Sequence, residues 1–290
     1  MERMIVTPDG RQLRVEEAGD PAGVPVLMHH GTPGAGHLYR PHVTDAINRG
    51  IRLIGYNRPG YGRSTPQPGR SVADCAADVR AIASELGIDR LGVWGISGGG
   101  PHALACAALL PDLVVAVGSL AAIAPYGAPG LDFFTGMGQE NVDDVKLSLE
   151  DEPAARAKLG EDRERMLALT AEDMVQAFPT LVSAVDAAAL DLELGEYLVA
   201  CDQDGLGLGG DGWWDDGHAH LHPWGFDLES IRVPVQLWHG RHDRFVPFQH
   251  GEWLASKIPG VEAHLTDEDG HLTLLQRRVG EVHAWLLDHF

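Results

Sequence analysis

A serine between small residues is the first feature of the sequence that could do chemistry. The stretch GISGG, centred on Ser97, fits the pattern G-x-S-x-G, follows the apolar run 91–94 and precedes an Ala-rich stretch, 98–110, with helical character. A sharp turn from strand to helix exposes a serine and requires very small residues two positions away, as Gly95 and Gly99 are. A phosphate-binding turn is disfavoured because neither a Walker lysine nor a complete G-x-G-x-x-G follows. Ser97 is therefore a candidate nucleophile.

A histidine near the end of the chain has the position expected of the base that such a serine needs. Of the 15 histidines, His271 lies on a loop directly after the last predicted strand, 261–265. In an open α/β sheet, the reactive groups collect at the carboxyl ends of the strands. His271 is therefore the predicted general base, and the other histidines are interpreted as surface or core residues.

An aspartate on the same sheet edge would orient that imidazole. Asp243 follows the predicted strand 233–238 directly. Asp267 and Asp269 compete for the role, but they lie on a turn close to the histidine and are expected to be solvated. The chain order serine, aspartate, histidine is that of one class of serine hydrolases.

Acyl transfer also needs hydrogen-bond donors aimed at the developing oxyanion. The amide of Gly98, directly after the serine, is one candidate. The second donor is expected from the loop 29–34, HHGTPG, which follows the strand ending at Met28 and whose glycines permit close approach of a ligand.

Short apolar runs alternate with helical stretches over most of the chain. The pattern predicts a hairpin at 2–18, strands at 25–28, 52–56, 91–94, 114–120, 233–238 and 261–265, and helices at 74–86, 98–110, 249–258 and 272–287. Strands separated by helices predict βαβ units and a mostly parallel sheet, which is the α/β fold class.

The negative charge is concentrated in one part of the chain. The net charge is −20, and residues 126–230 hold 23 acidic against 5 basic side chains, whereas the remainder holds 19 against 17. Such a shift in composition predicts an inserted segment, so we expect a core formed by residues 1–125 and 231–290 and an acidic lid at 126–230.

The composition also restricts the partners and the compartment. Excess negative charge repels nucleic-acid phosphate and anionic lipid, so neither is an expected partner. The most apolar stretch, 103–125, is interrupted at Pro111 and Asp112 and is too short to span a membrane. With three cysteines and no apolar signal core at the N-terminus, a cytoplasmic location is expected.

Five motifs together resemble those of the α/β-hydrolase superfamily, in the same order: HGTPG at 30–34, NRPGYGRS at 57–64, GISGG at 95–99, GRHD at 240–243 and GH at 270–271. The resemblance implies a central parallel sheet flanked by helices, with a helical lid inserted after the sixth family strand. It implies that Ser97, Asp243 and His271 form a catalytic triad, with the amides of Thr32 and Gly98 as oxyanion donors. No cofactor and no metal are implied.

The same resemblance implies a serine hydrolase that cleaves a small carboxylic ester or a related acyl compound. A C–C bond hydrolase, a lactonase and a cofactor-free peroxidase use the same triad and stay open. A second alternative is an aminopeptidase similar to proline iminopeptidases, whose lid carboxylates would bind the amino group of the substrate. Against it, Thr32 replaces the second glycine of their HGGPG loop, and the elbow lacks their G-x-S-W-G pattern. A third alternative is a non-catalytic binding protein with this fold.

The lid sequence is the least regular part of the chain. Helices are plausible at 161–169 and 171–194, and a flexible Gly-rich stretch is expected at 205–212. Four aromatic residues would either line an apolar acyl pocket or pin the lid to the core: Phe133, Phe134, Trp213 and Trp214.

Three alternating histidines follow these tryptophans. On a strand, His218, His220 and His222 would face one side near several aspartates, as a metal site requires. The serine mechanism needs no metal, so these histidines are interpreted as surface residues.

Overall fold

The predicted strands assemble into one eight-stranded sheet. A computed structural model of the protein describes residues 1–178 and 180–290. The strand order across the sheet is β1-β2-β4-β3-β5-β6-β7-β8. The strands are β1 (Glu2–Val6), β2 (Gln12–Gly19), β3 (Val24–His29), β4 (Ile51–Tyr56), β5 (Leu91–Ile96), β6 (Val114–Leu120), β7 (Val235–Gly240) and β8 (Glu262–Thr266).

The sheet is mostly parallel, as predicted. β1 and β2 form an antiparallel hairpin and β2 pairs antiparallel with β4, whereas every pair from β4 across to β8 is parallel. β5 and β7 are buried at every position. Parallel strands are buried in this way because helices cover both faces of the sheet, which explains why they read as continuous apolar runs.

Six helices outside the inserted segment flank the sheet: α1 (Arg40–Arg49), α2 (Cys75–Glu85), α3 (Gly99–Leu109), α10 (Phe248–Lys257), α11 (His271–Arg277) and α12 (Val279–Leu287). They pack into two apolar clusters. Val79 of α2, Leu104 of α3 and Leu254 of α10 belong to one cluster. Ala46 of α1 and Val282 of α12 belong to the other.

A helical segment separates β6 from β7, as the resemblance implies. We call residues 126–230 the insert. Its helices are α4 (Gln139–Glu150), α5 (Glu152–Leu167), α6 (Met174–Ala177), α7 (Ala184–Ala189), α8 (Leu192–Leu206) and α9 (Asp211–Leu221).

The helix boundaries predicted inside the insert are wrong. In place of one helix at 171–194 there are α6, α7 and the start of α8, and Pro179 lies outside the described residues. Two side chains begin new helices there, because Ser183 accepts a hydrogen bond from the Asp186 amide and Asp191 accepts one from the Leu194 amide. The predicted helix at 161–169 is the second half of α5, whose first half and the whole of α4 were not predicted.

Two further predictions need correction. The helix predicted at 272–287 is divided into α11 and α12 at Arg278. The stretch 205–212, predicted to be flexible, contains the end of α8 and the start of α9. Gly205 lies within α8 and packs closely on the loop before α1, because a Cβ there would collide with the carbonyl oxygen of Gly34.

None of the helices in the described parts of the chain combines the length and the apolar character that crossing a bilayer requires.

Candidate active site

Ser97 lies at the tip of a strained turn between β5 and α3. Its φ of 56° is in the left-handed region that residues with a side chain rarely adopt. A Cβ at Gly95 would collide with the carbonyl of Gly99, and one at Gly99 would collide with the carbonyl oxygen of His29. The amide of Ser97 donates to the carbonyl oxygen of Leu120 at 2.9 Å, which fixes the turn on β6. The glycines of the motif therefore have the steric role that the sequence predicts.

Asp243 and His271 form a buried hydrogen-bonded pair. His271 Nδ1 lies 2.7 Å from Asp243 Oδ2. The other oxygen of Asp243 accepts the amides of Phe245 and Val246 at 2.9 and 2.8 Å, so the carboxylate cannot rotate freely. The His271 ring also stacks on Phe245, with ring centroids 4.7 Å apart. With Nδ1–H donating to Asp243, the free lone pair of a neutral imidazole is on Nε2.

The two rival aspartates are engaged elsewhere. Asp269 is fully buried, so the expectation that it is solvated is wrong, and it accepts hydrogen bonds from Thr266 Oγ1 at 3.0 Å and from Arg278 Nε at 2.8 Å. Asp267 is exposed and pairs with Arg241. The structure thus brings Asp243, and neither rival, to the imidazole.

Ser97 and His271 line the same cavity, but in the described structure no hydrogen bond joins Ser97 Oγ to the imidazole. Such contacts are often long in proteins without substrate and tighten when substrate binds.

The environment of His271 favours its protonated form. Burial alone would lower the pKa of this imidazole, but the charge and hydrogen bond of Asp243, together with the charge of Asp186, raise the pKa above its ordinary value of 6.5. The imidazolium that forms when a base accepts a proton is therefore stabilised here.

Asp186, on α7 of the insert, is a residue that the sequence did not single out. Its side chain is fully buried. Its carboxylate accepts the backbone amides of His271, Leu272 and Thr273 at 3.0, 2.8 and 3.1 Å. The S-x-x-D pattern at Ser183 marks a helix start in the sequence, but it does not show that the aspartate contacts a distant loop.

The loop that holds Thr32 lies beside Ser97. A Cβ built on Gly31 would be 3.6 Å from the Cβ of Ser97. Within the described ranges, the backbone amides of Thr32 and Gly98 donate to no protein acceptor, so both are available to a ligand. His30 shapes this loop, since its Nδ1 lies 2.7 Å from the Gly31 carbonyl oxygen and its Nε2 accepts the Arg58 amide at 3.2 Å.

A second buried carboxylate of the insert, Asp216 on α9, binds the Thr32 loop. It accepts Thr32 Oγ1 at 2.7 Å, Tyr61 OH at 2.9 Å and Arg70 Nη2 at 2.7 Å. Arg58 Nε donates to it at 3.1 Å, and Arg58 Nη2 also donates to the Gly31 carbonyl at 2.9 Å. The insert and the Thr32 loop are thus joined through one ionic network.

The charge state of this network follows from its geometry. Burial alone would raise the pKa of Asp216, but the guanidinium groups of Arg58 and Arg70 hold it well below its ordinary value. Asp216 is consequently an anion enclosed by two cations, and removal of its charge would leave Arg58 without its carboxylate partner and Arg70 with Asp215 alone, 3.4 Å away.

The cavity above Ser97 has a volume of about 660 Å³ and is enclosed largely by the insert. Trp213 and Trp214 line it, together with apolar side chains such as Leu159, Met166 and Leu198.

Phe133 and Phe134 are not brought to the cavity, so this part of the pocket prediction needs correction. They pack on each other and on Tyr126, and Phe133 also packs on His250 of α10. Phe133 is held there because its carbonyl accepts His250 Nε2 at 2.9 Å. Phe133 thus attaches the start of the insert to the core, and Phe134 packs on it from within the insert.

The cavity wall includes a buried carboxyl group, that of Asp202, which has no ion-pair partner within residues 1–178 and 180–290. Asp202 on α8 is 7% exposed and lines the cavity. Burial raises the pKa of Asp202 to about 7. The group therefore changes charge near neutral pH within reach of a bound ligand.

The three alternating histidines do not converge. His218 and His220 belong to α9 and not to a strand, and His222 directly follows this helix, so the rings of His218 and His222 stack with their centroids 3.8 Å apart. His220 is buried and not a surface residue as interpreted, and it points to the nucleophile turn, where its Nε2 lies 3.1 Å from the Gly98 carbonyl oxygen. Burial lowers the pKa of His220 to about 4, so it is neutral there.

Among the described residues, the side chains that could hold a metal together are His29, Cys75 and Cys106, whose ligand atoms lie within 4.8 Å of one another. Cys106 Sγ already contacts His29 Nε2 at 3.5 Å, and Cys75 Sγ donates to the His102 carbonyl at 3.4 Å. The three are enclosed in the core and do not line the cavity.

Comparison with known proteins identifies the family. A family model described as the alpha/beta hydrolase fold matches residues 24–277, so the chain belongs to this family, and the protein is a hydrolase of that fold. AB hydrolase superfamily protein YisY from Bacillus subtilis (strain 168) is 27% identical over 277 residues, which cover 93% of this chain and 92% of that protein.

Two further comparisons concern a peptidase and an esterase. A proline iminopeptidase from Xanthomonas citri is 36% identical over 108 residues, which are 34% of this chain and 33% of that protein. The structure of the esterase EaEST from Exiguobacterium antarcticum superimposes with a TM-score of 0.71 at 21% identity, covering 99% of this chain and 100% of that chain. At that identity the likeness shows the fold alone.

Replacement of Asp216 by Asn is expected to lower the free energy of unfolding by about 3–5 kcal/mol, because the buried guanidinium group of Arg58 loses its counter-charge and that of Arg70 keeps only Asp215. Asp211→Asn is the matched control, since Asp211 lies exposed on the same helix, and its effect should stay within about 0.5 kcal/mol. Urea unfolding of both variants and the wild type measures the difference. Equal free energies of unfolding for the two variants would contradict the expectation that the ion pairs of Asp216 stabilise the fold.

Proposed function

We propose that this protein hydrolyses a small carboxylic ester, or a related acyl compound, through an acyl-enzyme formed on Ser97. The observation that carries the proposal is the juxtaposition at one cavity of a strained serine and a hydrogen-bonded Asp243–His271 pair. A serine with a base, and a base with an orienting carboxylate, is the arrangement that activates a hydroxyl.

In this mechanism His271 Nε2 accepts the proton of Ser97 Oγ as the oxygen attacks the carbonyl carbon. The amides of Thr32 and Gly98 donate to the oxyanion of the tetrahedral intermediate. The leaving alcohol takes the proton from His271, and a water activated by the same imidazole then hydrolyses the acyl-enzyme. Asp243 fixes the tautomer of His271 and stabilises its cation.

The proposal extends to the organisation of the chain. Residues 1–125 and 231–290 act as the hydrolase core, and the insert acts as a lid whose apolar side chains receive the acyl or alcohol part of the substrate. The partner is a small molecule and not a nucleic acid or a membrane. A cytoplasmic location belongs to the same proposal.

Ser97→Ala should lower kcat for p-nitrophenyl esters by at least about 1000-fold, because the nucleophile is removed. Ser84→Ala, at an exposed position on α2, is the control and should match the wild type. A set of esters of increasing chain length also shows which acyl group the cavity prefers. Equal turnover by wild type and Ser97→Ala, or failure of a fluorophosphonate probe to label Ser97, would refute the mechanism.

The pH dependence follows from the raised pKa of His271. Since the imidazolium cannot accept a proton, kcat/KM should fall as the pH drops through a value above 6.5. In Asp243→Asn the imidazolium of His271 loses the carboxylate that stabilises it, so kcat should fall by about 10⁴-fold. For the same reason, the acid limb of the remaining activity should move to lower pH. Profiles of kcat/KM against pH for both proteins test this, and an unchanged acid limb would show that another group titrates.

A second candidate function, an aminopeptidase that binds the free amino group of its substrate, is favoured by Asp202. A buried carboxyl group in the cavity wall can pair with a substrate ammonium, and pairing would hold the carboxyl in its ionised form. The similarity to a proline iminopeptidase over about a third of the chain supports the same candidate.

If the protein is an aminopeptidase, Asp202→Asn should raise KM for a prolyl arylamide about 10- to 100-fold, because the charged hydrogen bond between the substrate ammonium and the carboxylate is lost. KM for neutral esters should not change. The assay is run above the Asp202 pKa of about 7. Glu172→Gln, which removes an exposed carboxylate of the insert, is the control. If wild type shows no turnover of the arylamide, or if Asp202→Asn affects both substrates equally, the aminopeptidase candidate is rejected.

A further inference from the structure

The helix that carries His271 has no capping side chain of its own. α11 is seven residues long and begins at His271, and the residue before it is Gly270. Thr273 Oγ1 accepts the amide of Gly270 at 2.6 Å. The amides of His271, Leu272 and Thr273 belong to the first turn, where no backbone acceptor is available within the helix. These buried donors need an acceptor from elsewhere in the chain.

Asp186 supplies that acceptor from the insert. Its two oxygens accept all three amides, and a Cβ at Gly270 would collide with its carboxylate. The carboxylate thus occupies the space that a capping side chain at position 270 would fill. Ser183 Oγ donates to Asp186 Oδ2 at 2.9 Å and orients the carboxylate in turn.

We propose that Asp186 is a positioning residue for the hydrolytic reaction, which holds the imidazole of His271 in place for Ser97 by fixing the first turn of α11. The inference rests on the proposed function of Ser97 and His271. It makes the insert a part of the catalytic apparatus, because the His271 backbone is fixed by a residue that lies outside the hydrolase core.

Charge adds to the positional effect. Among residues 1–178 and 180–290, three titratable groups face His271: Asp243 from the loop after β7, Asp186 from α7 and His239 from β7. Burial lowers the pKa of His239, which is therefore neutral at neutral pH, so the two carboxylates determine the field at the imidazole. The negative charge of Asp186 stabilises the cation that His271 becomes when it accepts the Ser97 proton.

Asp186→Asn tests the hydrogen bonds and the negative charge of Asp186 while it preserves the packing of the side chain. The amide side chain has the same shape, but only one of its two terminal atoms can accept a hydrogen bond. The amide of His271 or the amides of Leu272 and Thr273 lose their acceptor, and the negative charge disappears. Asp186→Ala removes the whole group. Asp151→Asn is the matched control, because Asp151 is an exposed aspartate that caps another insert helix through the Ala154 amide.

The test compares the wild type, Asp186→Asn, Asp186→Ala and Asp151→Asn in steady-state hydrolysis of a p-nitrophenyl ester and in NMR titration of the His271 imidazole. For Asp186→Asn we expect kcat to fall about 10- to 100-fold with little change in KM, because the base is displaced and not the substrate. The pKa of His271 and the acid limb of kcat/KM should both move to lower pH. Asp151→Asn should behave as the wild type does.

The outcomes distinguish this inference from the proposed function. If Asp186→Asn keeps the wild-type kcat and the wild-type His271 titration, or only melts at lower temperature with both unchanged, the positioning role is refuted. If the wild type hydrolyses no ester but the His271 titration moves in Asp186→Asn and not in Asp151→Asn, the ester-hydrolase function fails. In that case the control of the imidazole by Asp186 stands.

Discussion

Two fully buried carboxylates connect the insert to the loops that surround Ser97. Asp186 accepts the amides at the start of the His271 helix, and Asp216 accepts the Thr32 hydroxyl together with Arg58 and Arg70. A buried anion is stable only when donors or cations satisfy it, so each carboxylate fixes the position of the groups that it contacts. The geometry of the site therefore depends on the insert and not only on the sheet.

The parts of the site that sequence could predict are those set by local rules. The turn at Ser97 requires Gly95 and Gly99 on steric grounds, and Asp243 and His271 follow directly after two strands of a parallel sheet. Each of these signals lies within a few residues of the group concerned. The fold could be predicted because the alternation of strands and helices is also a local signal in the sequence.

The parts that sequence could not predict depend on contacts between distant segments. Asp186 lies 85 positions before His271 and Asp216 lies 158 positions after Arg58, and both are ordinary acidic residues in a segment that has many. The aromatic residues show the same limit, since Trp213 lines the cavity whereas Phe133 is held by His250. Composition indicated an acidic segment, but packing decides which of its residues face the cavity.

The strongly negative charge of the insert consequently has more than one physical role. Most of its carboxylates are exposed and hydrated, whereas Asp216 is neutralised by cations of the core and Asp186 by backbone amides. A movement that detached α9 from the core would separate Asp216 from both Arg58 and Arg70, and separation of such a buried network costs several kcal/mol. Detachment of α7 would leave three amides of the His271 helix without an acceptor. Opening of the insert as one rigid lid is therefore opposed at two points, and both lie beside the groups that would carry out the reaction.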